Sequence, residues 1–356
     1  MRKKSISLHI NKQCNFACKY CYWNNHEKEE MSDEISDKII SFLNNNPDKY
    51  EHIIFIGGEP FLSVNIMLKF IKALKDSFTF EIMTNGSIHP KVLFDKLNQN
   101  EKCRISISFS YDGLFQNNRK KNSADTILRH IKYAKNNSIS HGIVSMDSPD
   151  YADRFIENML YLIKQTKSFS FCRICDLPNK WPKDKLKQHL KDWNKIVDIA
   201  SYYNTCKGYS IMLPNRVESL PGDIKQSEKE INCQRNLLYM DCVGLDGKKY
   251  LCEPAYTENA ANYGYLWEEH ETLASEYDKK HHDCPYYVCL YYRSKDFEYE
   301  KQIEKKRLKY HKRKQKLSRL KEDKEKQLLK KDPKGRLLRL ARDYYWNGQT
   351  VVRHDN

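Results

Sequence analysis

The sequence lacks any long apolar run. None of its stretches approaches the about 18 to 20 consecutive apolar residues that a membrane-spanning helix needs. The first residues, MRKKSISLHINKQC, carry charge but have neither the apolar segment nor the small-residue cleavage site of a secretion signal. No internal repeat is found either. We therefore expect a cytoplasmic protein with one large domain and a smaller one.

Cysteine, in contrast, is abundant, with 12 residues in a chain of 356. Thiols stay reduced in the cytoplasm, where disulfides are rare. An excess of cysteine in such a compartment indicates metal binding. Cys103, Cys172, Cys175 and Cys206 are most simply core or incidental thiols.

The positive charge is concentrated near the end of the sequence. Residues 301–343 contain 19 Lys or Arg against 6 Asp or Glu, a local net charge of +13 that leaves +2 for the rest of the chain. A solvated helix with balanced i, i+4 pairs would not need this excess. We favour a polyanionic partner, which could be a nucleic acid, an acidic peptide or an anionic surface. The segment RLLRLARDYYW that overlaps its end could dock on the body of the protein.

The first half of the sequence alternates short apolar runs with helical patterns. Ser32 and Ser63 are suitable N-caps for two of the helices, and residues 123–135 and 150–164 have the apolar spacing of two more. Six predicted strands in series with helices imply a parallel sheet with right-handed crossovers, as an open sheet or a partial barrel. The six strands are predicted at 5–10, 52–58, 78–86, 104–113, 141–146 and 169–178. Functional residues should then lie on the loops that follow the strands.

The loop after the first predicted strand reads CNFACKYC, with cysteines at 14, 18 and 21. A [4Fe–4S] cluster has four irons, and three thiolates on one loop would leave one iron open. The alternative is a zinc knuckle with a remote fourth ligand. The spacing C-x3-C-x2-C, with Tyr20 before the last cysteine, resembles the signature of the radical S-adenosylmethionine (SAM) superfamily. That resemblance implies that SAM binds the open iron and is cleaved to a 5′-deoxyadenosyl radical.

Three later loops add to this resemblance. Gly57, Gly58, Glu59 and Pro60 form GGEP, which is similar to the motif that holds the methionyl amino group in the family. SFSYDG resembles a strand end whose serine, here Ser110, holds the methionyl carboxylate together with a downstream arginine, here Arg119. Asn85 in TNG is a further ribose or carboxylate contact, or alternatively a turn residue.

A second group of cysteines follows residue 225. Cys233, Gly247 and Cys252 give C-x13-G-x4-C, which resembles the auxiliary-cluster segment of the SPASM/twitch branch, and LDG is itself a hairpin signal. With Cys284 and Cys289 these cysteines imply one auxiliary [4Fe–4S] cluster, with a structural zinc site as the alternative. Cys242 is a further candidate ligand. Glu253 matches the position of an acidic base in the related sulfatase-maturing enzymes, or is a solvated loop residue.

The resemblance covers residues 1 to about 293. It implies an α/β fold with a partial (β/α)6 radical SAM barrel at 1–225, an auxiliary iron–sulfur domain at 226–294 and a basic helical tail at 295–356. We expect two [4Fe–4S] clusters, SAM, and an electron donor such as flavodoxin or ferredoxin. The expected reaction is hydrogen abstraction from a ribosomally made peptide or protein. The alternatives are modification of DNA or RNA with the tail as a clamp, and a zinc-stabilised nucleic-acid-binding protein without enzymatic activity.

Overall fold

The computed structural model of the chain describes most of its first half and parts of the second. The described residues are 3–145 without 22, 24 and 25, then 149–170, scattered positions between 182 and 212, 240–250, 256, 262, 264–268, 344–346 and 351–353. No helix among them is long and apolar enough to cross a membrane.

Strands and helices alternate along this first half, as the sequence predicts. The strands are β1 (Lys4–Asn11), β2 (Tyr50–Gly57), β3 (Thr79–Thr84), β4 (Ile105–Ser110), β5 (Ser140–Val144) and β6 (Ser168–Ser170). The helices are α1 (Asp33–Asn45), α2 (Val64–Ala73), α3 (Lys91–Phe94), α4 (Gln99–Cys103), α5 (Ala124–Asn136) and α6 (Phe155–Thr166). Short 3-10 turns at Pro60–Ser63, Gly113–Asn118 and Pro149–Arg154 follow β2, β4 and β5. Later come β7 (Ser210–Met212), β8 (Met240–Val243), β9 (Lys249–Tyr250), β10 (Tyr344–Trp346) and β11 (Val351–Arg353).

The main sheet has seven strands in the order β5-β4-β3-β2-β1-β8-β9. The pairs from β5 through to β8 are parallel, and only β8 and β9 are antiparallel. The predicted parallel α/β sheet is therefore confirmed. Strand β6 pairs with β7 in a separate parallel pair. The carboxyl ends of β1 to β5 lie at one edge, where their loops meet.

One face of this sheet forms the apolar core. Ile6 and Leu8 on β1 are fully buried, as are their neighbours Ile53 and Phe55 on β2. The buried sides of the helices belong to the same cluster, among them Ile39, Leu43, Met67 and Phe70. Successive side chains of a strand point to opposite faces. The other face therefore carries Ser7, His9 and Asn11 of β1 and the serines at 106, 108 and 110 of β4.

The two predicted helix caps differ in structure. Ser32 caps α1, and its side chain accepts a hydrogen bond from the Ile35 amide. Ser63 immediately precedes α2 but does not cap it, because its hydroxyl donates to Glu30 and accepts from Asn11. The helix boundary was predicted correctly, whereas the role of this serine was not.

A later segment of the chain joins the sheet beside β1. The predicted LDG hairpin is confirmed, since β8 turns back into β9 at Gly247, whose φ of +77° favours glycine. Strand β8 pairs in parallel with β1, with Ser7 opposite Cys242. Residues 240–250 of the predicted auxiliary domain therefore share a sheet with the predicted barrel.

The last described residues correct one expectation. We expected a helical tail, but β10 and β11 form an antiparallel pair in which Tyr345 lies opposite Val352. Aromatic and β-branched residues such as these favour strands. The rest of the tail, including most of RLLRLARDYYW, lies outside the described residues.

Candidate metal and cofactor site

The three cysteines of CNFACKYC lie on the loop that leaves the carboxyl end of β1. All three are free and partly buried. The Phe16 amide donates to the Cys14 sulfur at 3.4 Å, and the Trp23 amide donates to the Cys21 sulfur at 3.4 Å. A turn between Cys18 and Cys21, closed by a 3.1 Å backbone hydrogen bond, brings the loop back on itself. N–H groups directed at sulfur stabilise the thiolate form that binds metal.

The thiols interact with one another electrostatically. Burial raises the pKa of all three, that of Cys18 to about 11, and the nearby thiols raise the pKa of Cys14 and Cys18 further. Arg119 acts in the opposite direction on Cys18 and Cys21. Without a cation these thiols are therefore neutral, and metal binding would release their protons.

This donor set fits an iron–sulfur cluster in which each of three irons takes one thiolate. Within the described parts of the chain, no three Cys, His, Asp or Glu side chains are gathered closely enough to hold a single metal ion. The Asn85 side-chain amide is also directed at the Cys14 sulfur, at 3.6 Å.

The glycines of GGEP allow the end of β2 to pack closely against the start of the cysteine loop. The Gly58 amide donates to the Asn11 carbonyl at 3.1 Å, and the Glu59 amide donates to the Gln13 carbonyl at 2.8 Å. A Cβ atom at Gly57 would lie 2.4 Å from the Asn11 carbonyl oxygen, and one at Gly58 would lie 2.1 Å from that of Gln13. These glycines therefore allow two backbone segments to touch beside the cysteines. Our prediction that they receive a ligand stays a prediction.

Glu59 ties this loop to the end of β3. Its carboxylate is fully buried and accepts hydrogen bonds from the Phe61 amide, the Thr84 hydroxyl and the Asn85 amide at 2.7 to 3.0 Å. Burial raises the pKa of Glu59 to about 7, although these three hydrogen bonds oppose the shift. The side chain thus connects two of the predicted loops, and its carbonyl oxygen accepts from Asn11 at 2.8 Å.

Asn85 is placed directly against the cysteine loop. Its side-chain amide donates to the Asn15 side chain at 2.8 Å, and its side-chain oxygen accepts from the Ser87 amide at 2.9 Å. The side chain therefore acts both as a turn residue, as the alternative in the sequence suggested, and as a contact of the cysteine loop.

Ser110 is the last residue of β4, and Arg119 comes at the end of the 3-10 turn that follows this strand. The Arg119 guanidinium is buried and makes two hydrogen bonds to Asp112, at 2.8 and 3.0 Å. It also lies 5.2 Å from the centre of the Tyr20 ring, and the Tyr20 hydroxyl donates to Asp112. Asp112 and Tyr20 raise the pKa of Arg119 against the effect of burial, so the guanidinium stays charged.

The sequence contained Asp112 in SYDG and Tyr20 in the cysteine motif, but we predicted no functional contact for either. The seven-residue separation of Asp112 and Arg119 was the available signal. The contact of both with Tyr20 needed the fold, because 92 residues separate Tyr20 from Asp112.

An aromatic cluster joins the cysteine loop to the later segment. His9 lies 5.2 Å from Trp23 and 4.6 Å from Tyr256, measured between ring centres. Trp23 is two residues from Cys21, and Tyr256 is four residues from Cys252. Burial lowers the pKa of His9 to about 3, so the imidazole is neutral. Tyr256 therefore packs against His9 of β1 and against Trp23, which follows the cysteine loop.

The predicted auxiliary ligands Cys233, Cys252, Cys284 and Cys289 lie outside the described residues, as does Glu253. Cys242 is described and is buried in β8. Its register partners are Ser7 of β1 and Tyr250 of β9.

Comparison with known proteins agrees with an iron–sulfur site at the cysteine loop. Residues 5–133 match the family model described as a 4Fe-4S single cluster domain. An uncharacterized protein of Methanocaldococcus jannaschii is 27% identical over 265 residues, which cover 70% of this chain and 84% of that protein. The radical SAM cyclopropyl synthase TigE of Paramaledivibacter caminithermalis is 24% identical over 227 residues, covering 56% of this chain and 46% of TigE.

The fold agrees with these matches. The structure of native anSMEcpe with bound AdoMet and Cp18Cys peptide superimposes with a TM-score of 0.60 at 19% identity, covering 80% of this chain and 87% of that chain. The sequence is thus similar to that of a radical SAM protein, and the fold to that of a protein solved with AdoMet. These similarities support a [4Fe–4S] cluster and SAM as cofactors. They favour this interpretation over the zinc-stabilised, non-enzymatic alternative.

Proposed function

We propose that this protein is a radical SAM enzyme that abstracts a hydrogen atom from a ribosomally made peptide or protein. TigE is a radical SAM cyclopropyl synthase by name, and anSMEcpe has been solved with a bound peptide. The anSMEcpe complex supports a peptide substrate, and the similarity to TigE and the cysteine loop support the radical chemistry. The observation that carries the proposal is the position of the cysteine loop, which lies at the carboxyl end of β1 and packs against GGEP.

We assign Cys14, Cys18 and Cys21 as the ligands of the catalytic cluster. When bound, this cluster supplies the electron that cleaves SAM and yields the 5′-deoxyadenosyl radical. The chain itself shapes the site by directing N–H groups at two of the sulfurs and by keeping the Arg119 charge beside Cys18. A positive charge at this position favours thiolate over thiol.

We assign the binding of SAM to the loops at the same edge of the sheet. Gly57, Gly58, Glu59 and Pro60 are proposed to place the methionyl amino group, and Ser110 with Arg119 the carboxylate. Because Glu59 is held by three donors, and Arg119 by Asp112, both side chains are preorganised and cannot rotate freely. Asn85 is the proposed contact of the ribose or carboxylate.

The auxiliary cluster is assigned to Cys233, Cys252, Cys284 and Cys289, with Glu253 as the base that takes a proton from the substrate radical. The contact of His9 on β1 with Tyr256, which is four residues after Cys252 in the sequence, supports this assignment. A carboxylate in a closed cavity can have the raised pKa that such a base needs.

Isotope transfer tests the proposal. The anaerobically reconstituted enzyme is reduced with SAM and short peptides encoded beside its gene, synthesised with deuterium in place of carbon-bound hydrogen. We expect deuterium in 5′-deoxyadenosine and a changed peptide mass, both lost in Cys18→Ala. Cleavage of SAM without deuterium transfer from any of these peptides would contradict a peptide substrate.

The charge of +13 at residues 301–343 favours a second candidate, the modification of DNA or RNA with the tail as a clamp. Each phosphate contact releases counterions, so binding should weaken steeply with salt. The test compares full-length enzyme with a chain ending after residue 294, using single-stranded DNA, RNA and an acidic peptide across a salt series. Tail-dependent binding to nucleic acid alone would favour this candidate.

A further inference from the structure

The outer surface of the cysteine loop is basic. Asn15, Ala17 and Lys19 are exposed, and Phe16 between the first two is buried. This outer surface borders a cavity of about 520 Å³ between the loop and the segment after β4. Its lining residues are Cys14, Asn15, Phe16, Ala17, Lys19, His26, Asn117, Asn118, Arg119, Lys120 and Lys121.

The charge of this cavity is not balanced by acidic residues. Lys19, Lys120 and Lys121, here called the basic rim, are exposed, and no Asp or Glu is among the lining residues. Of the acidic residues near these segments, Asp112 pairs with Arg119, and Glu27 and Glu29 pair with Lys12. Among the described residues, neither Lys19 nor Lys121 makes an ion pair.

One lysine of the basic rim also holds the loop in place. Lys120 donates to the Asn15 carbonyl at 3.0 Å, and its ammonium lies 5.1 Å from the centre of the Phe16 ring. Lys19 and Lys121 have no such bond within the described structure. Their charges are therefore free to meet a partner, and they can be reversed without removing a contact of the loop.

We propose that the basic rim is the docking surface for an acidic electron-transfer protein. The inference rests on the proposed radical function, because reductive cleavage of SAM needs an electron from outside the enzyme. In the transfer the donor is oxidised by one electron and the cluster is reduced by one, with no bond made or broken. Ala17 is small, exposed and next to the proposed ligand Cys18, so a protein seated on the rim could approach the cluster closely there.

Complementary charge acts mainly on the association rate and on its salt dependence. An acidic protein should therefore bind the basic rim most tightly at low salt, and reversal of two charges should weaken it strongly. A small neutral reductant has no net attraction to the rim. Its rate of cluster reduction should therefore not change with the same substitutions. The two kinds of reductant thus separate docking from the chemistry of the cluster.

The test uses the reconstituted full-length enzyme and a purified flavodoxin of net negative charge, under anaerobic conditions. Binding is measured by calorimetric titration, and reduction of the cluster by absorbance in a stopped-flow instrument. We expect Lys19→Glu combined with Lys121→Glu to weaken flavodoxin binding at least tenfold and to flatten its salt dependence. Ala17→Glu should act in the same direction. The control is Lys72→Glu on α2, at the opposite edge of the sheet, with an expected change below twofold.

The outcomes separate this inference from the function on which it rests. Photoreduced neutral deazaflavin should reduce the parent and the rim variants at similar rates, and melting curves should show that all variants fold. Equal flavodoxin affinity in the parent and the double variant would overturn the docking proposal, and so would displacement of flavodoxin by an equal concentration of single-stranded oligonucleotide. Failure of the parent enzyme to cleave SAM after photoreduction would instead overturn the radical function.

Discussion

At the scale of single residues, the site depends on two buried carboxylates, each with its own hydrogen-bond partners. Glu59 has three hydrogen-bond donors and no cation, whereas Asp112 has the Arg119 guanidinium. The two carboxylates should therefore respond differently to pH and to substitution. The contacts of Glu59 with Thr84 and Asn85 could not be predicted from the sequence because they depend on the fold, whereas the seven-residue separation of Asp112 and Arg119 was a local signal for their pairing.

Glu59 should make stability depend on pH. Its pKa is raised from 4.5 to about 7, so between these values the folded chain holds a proton that the unfolded chain has lost. The stabilisation is full below about pH 4.5 and is lost as the pH rises through 7. Relative to Glu59→Gln, which stays neutral, the parent should lose about 1 to 3 kcal/mol of unfolding free energy between pH 5 and 8.

Urea unfolding of both chains at several pH values measures this difference. Glu51→Gln is the control, since Glu51 is exposed on β2, the strand that precedes Glu59. Parallel pH profiles for the parent and Glu59→Gln would show that burial does not perturb this carboxyl.

Asp112→Asn should be strongly destabilising because it leaves the buried Arg119 charge without a counter-ion. Removal of one partner from a buried pair costs about 3 to 5 kcal/mol. The matched control is Glu157→Gln, which breaks a similar two-bond pair with Arg154 on the surface. An exposed pair contributes little because solvent screens it, so equal losses of unfolding free energy in the two variants, measured by urea unfolding, would refute the argument.

At the scale of elements, the end of β2 supports the start of the cysteine loop. The sequence predicts the strands well because apolar runs bounded by helical patterns have few alternatives. It predicts the pairing of β1 with β8 poorly, because more than 200 residues separate the two strands and no local pattern marks them as neighbours. The prediction of a helical tail was wrong at β10 and β11 for a related reason. The Lys-rich composition of the tail as a whole favoured a helix, and the two short strand segments at its end were not recognised.

Gly58→Ala should displace the cysteine loop. The added Cβ would lie 2.1 Å from the Gln13 carbonyl oxygen, which is backbone and cannot rotate away. We expect reconstituted protein to lose at least half of the iron of the catalytic cluster, measured by iron and sulfide analysis. Leu62→Ala, at an exposed residue of the following turn, is the control and should retain its iron. Full iron content in Gly58→Ala would show that the loop tolerates separation from β2.

At the scale of the whole molecule, residues from both halves of the sequence meet at β1. Strand β8 pairs with it, and Tyr256 packs on His9 and Trp23. These contacts bring described residues of the later segment to the strand that leads into the cysteine loop. The candidate loops of the barrel were predictable because parallel strands end at one edge. Their hydrogen bonds were not, because these depend on side-chain geometry.

The number of clusters is a prediction from the spacing of the cysteines in the sequence. We predict about eight irons per chain, from two four-iron clusters. A combined Cys14→Ala, Cys18→Ala and Cys21→Ala variant should keep half of this iron. Loss of all iron, or its replacement by zinc, would contradict the assignment of Cys233, Cys252, Cys284 and Cys289 to an auxiliary cluster.

The central claim is that the loop at residues 14–21 binds the cluster that cleaves SAM. The most direct measurement is the yield of 5′-deoxyadenosine, by chromatography, after anaerobic reduction of reconstituted protein with SAM. The account predicts formation in the parent and in Cys103→Ala, which changes an exposed cysteine away from the loop, and none in Cys18→Ala. Cleavage at the parent rate in Cys18→Ala would contradict the account.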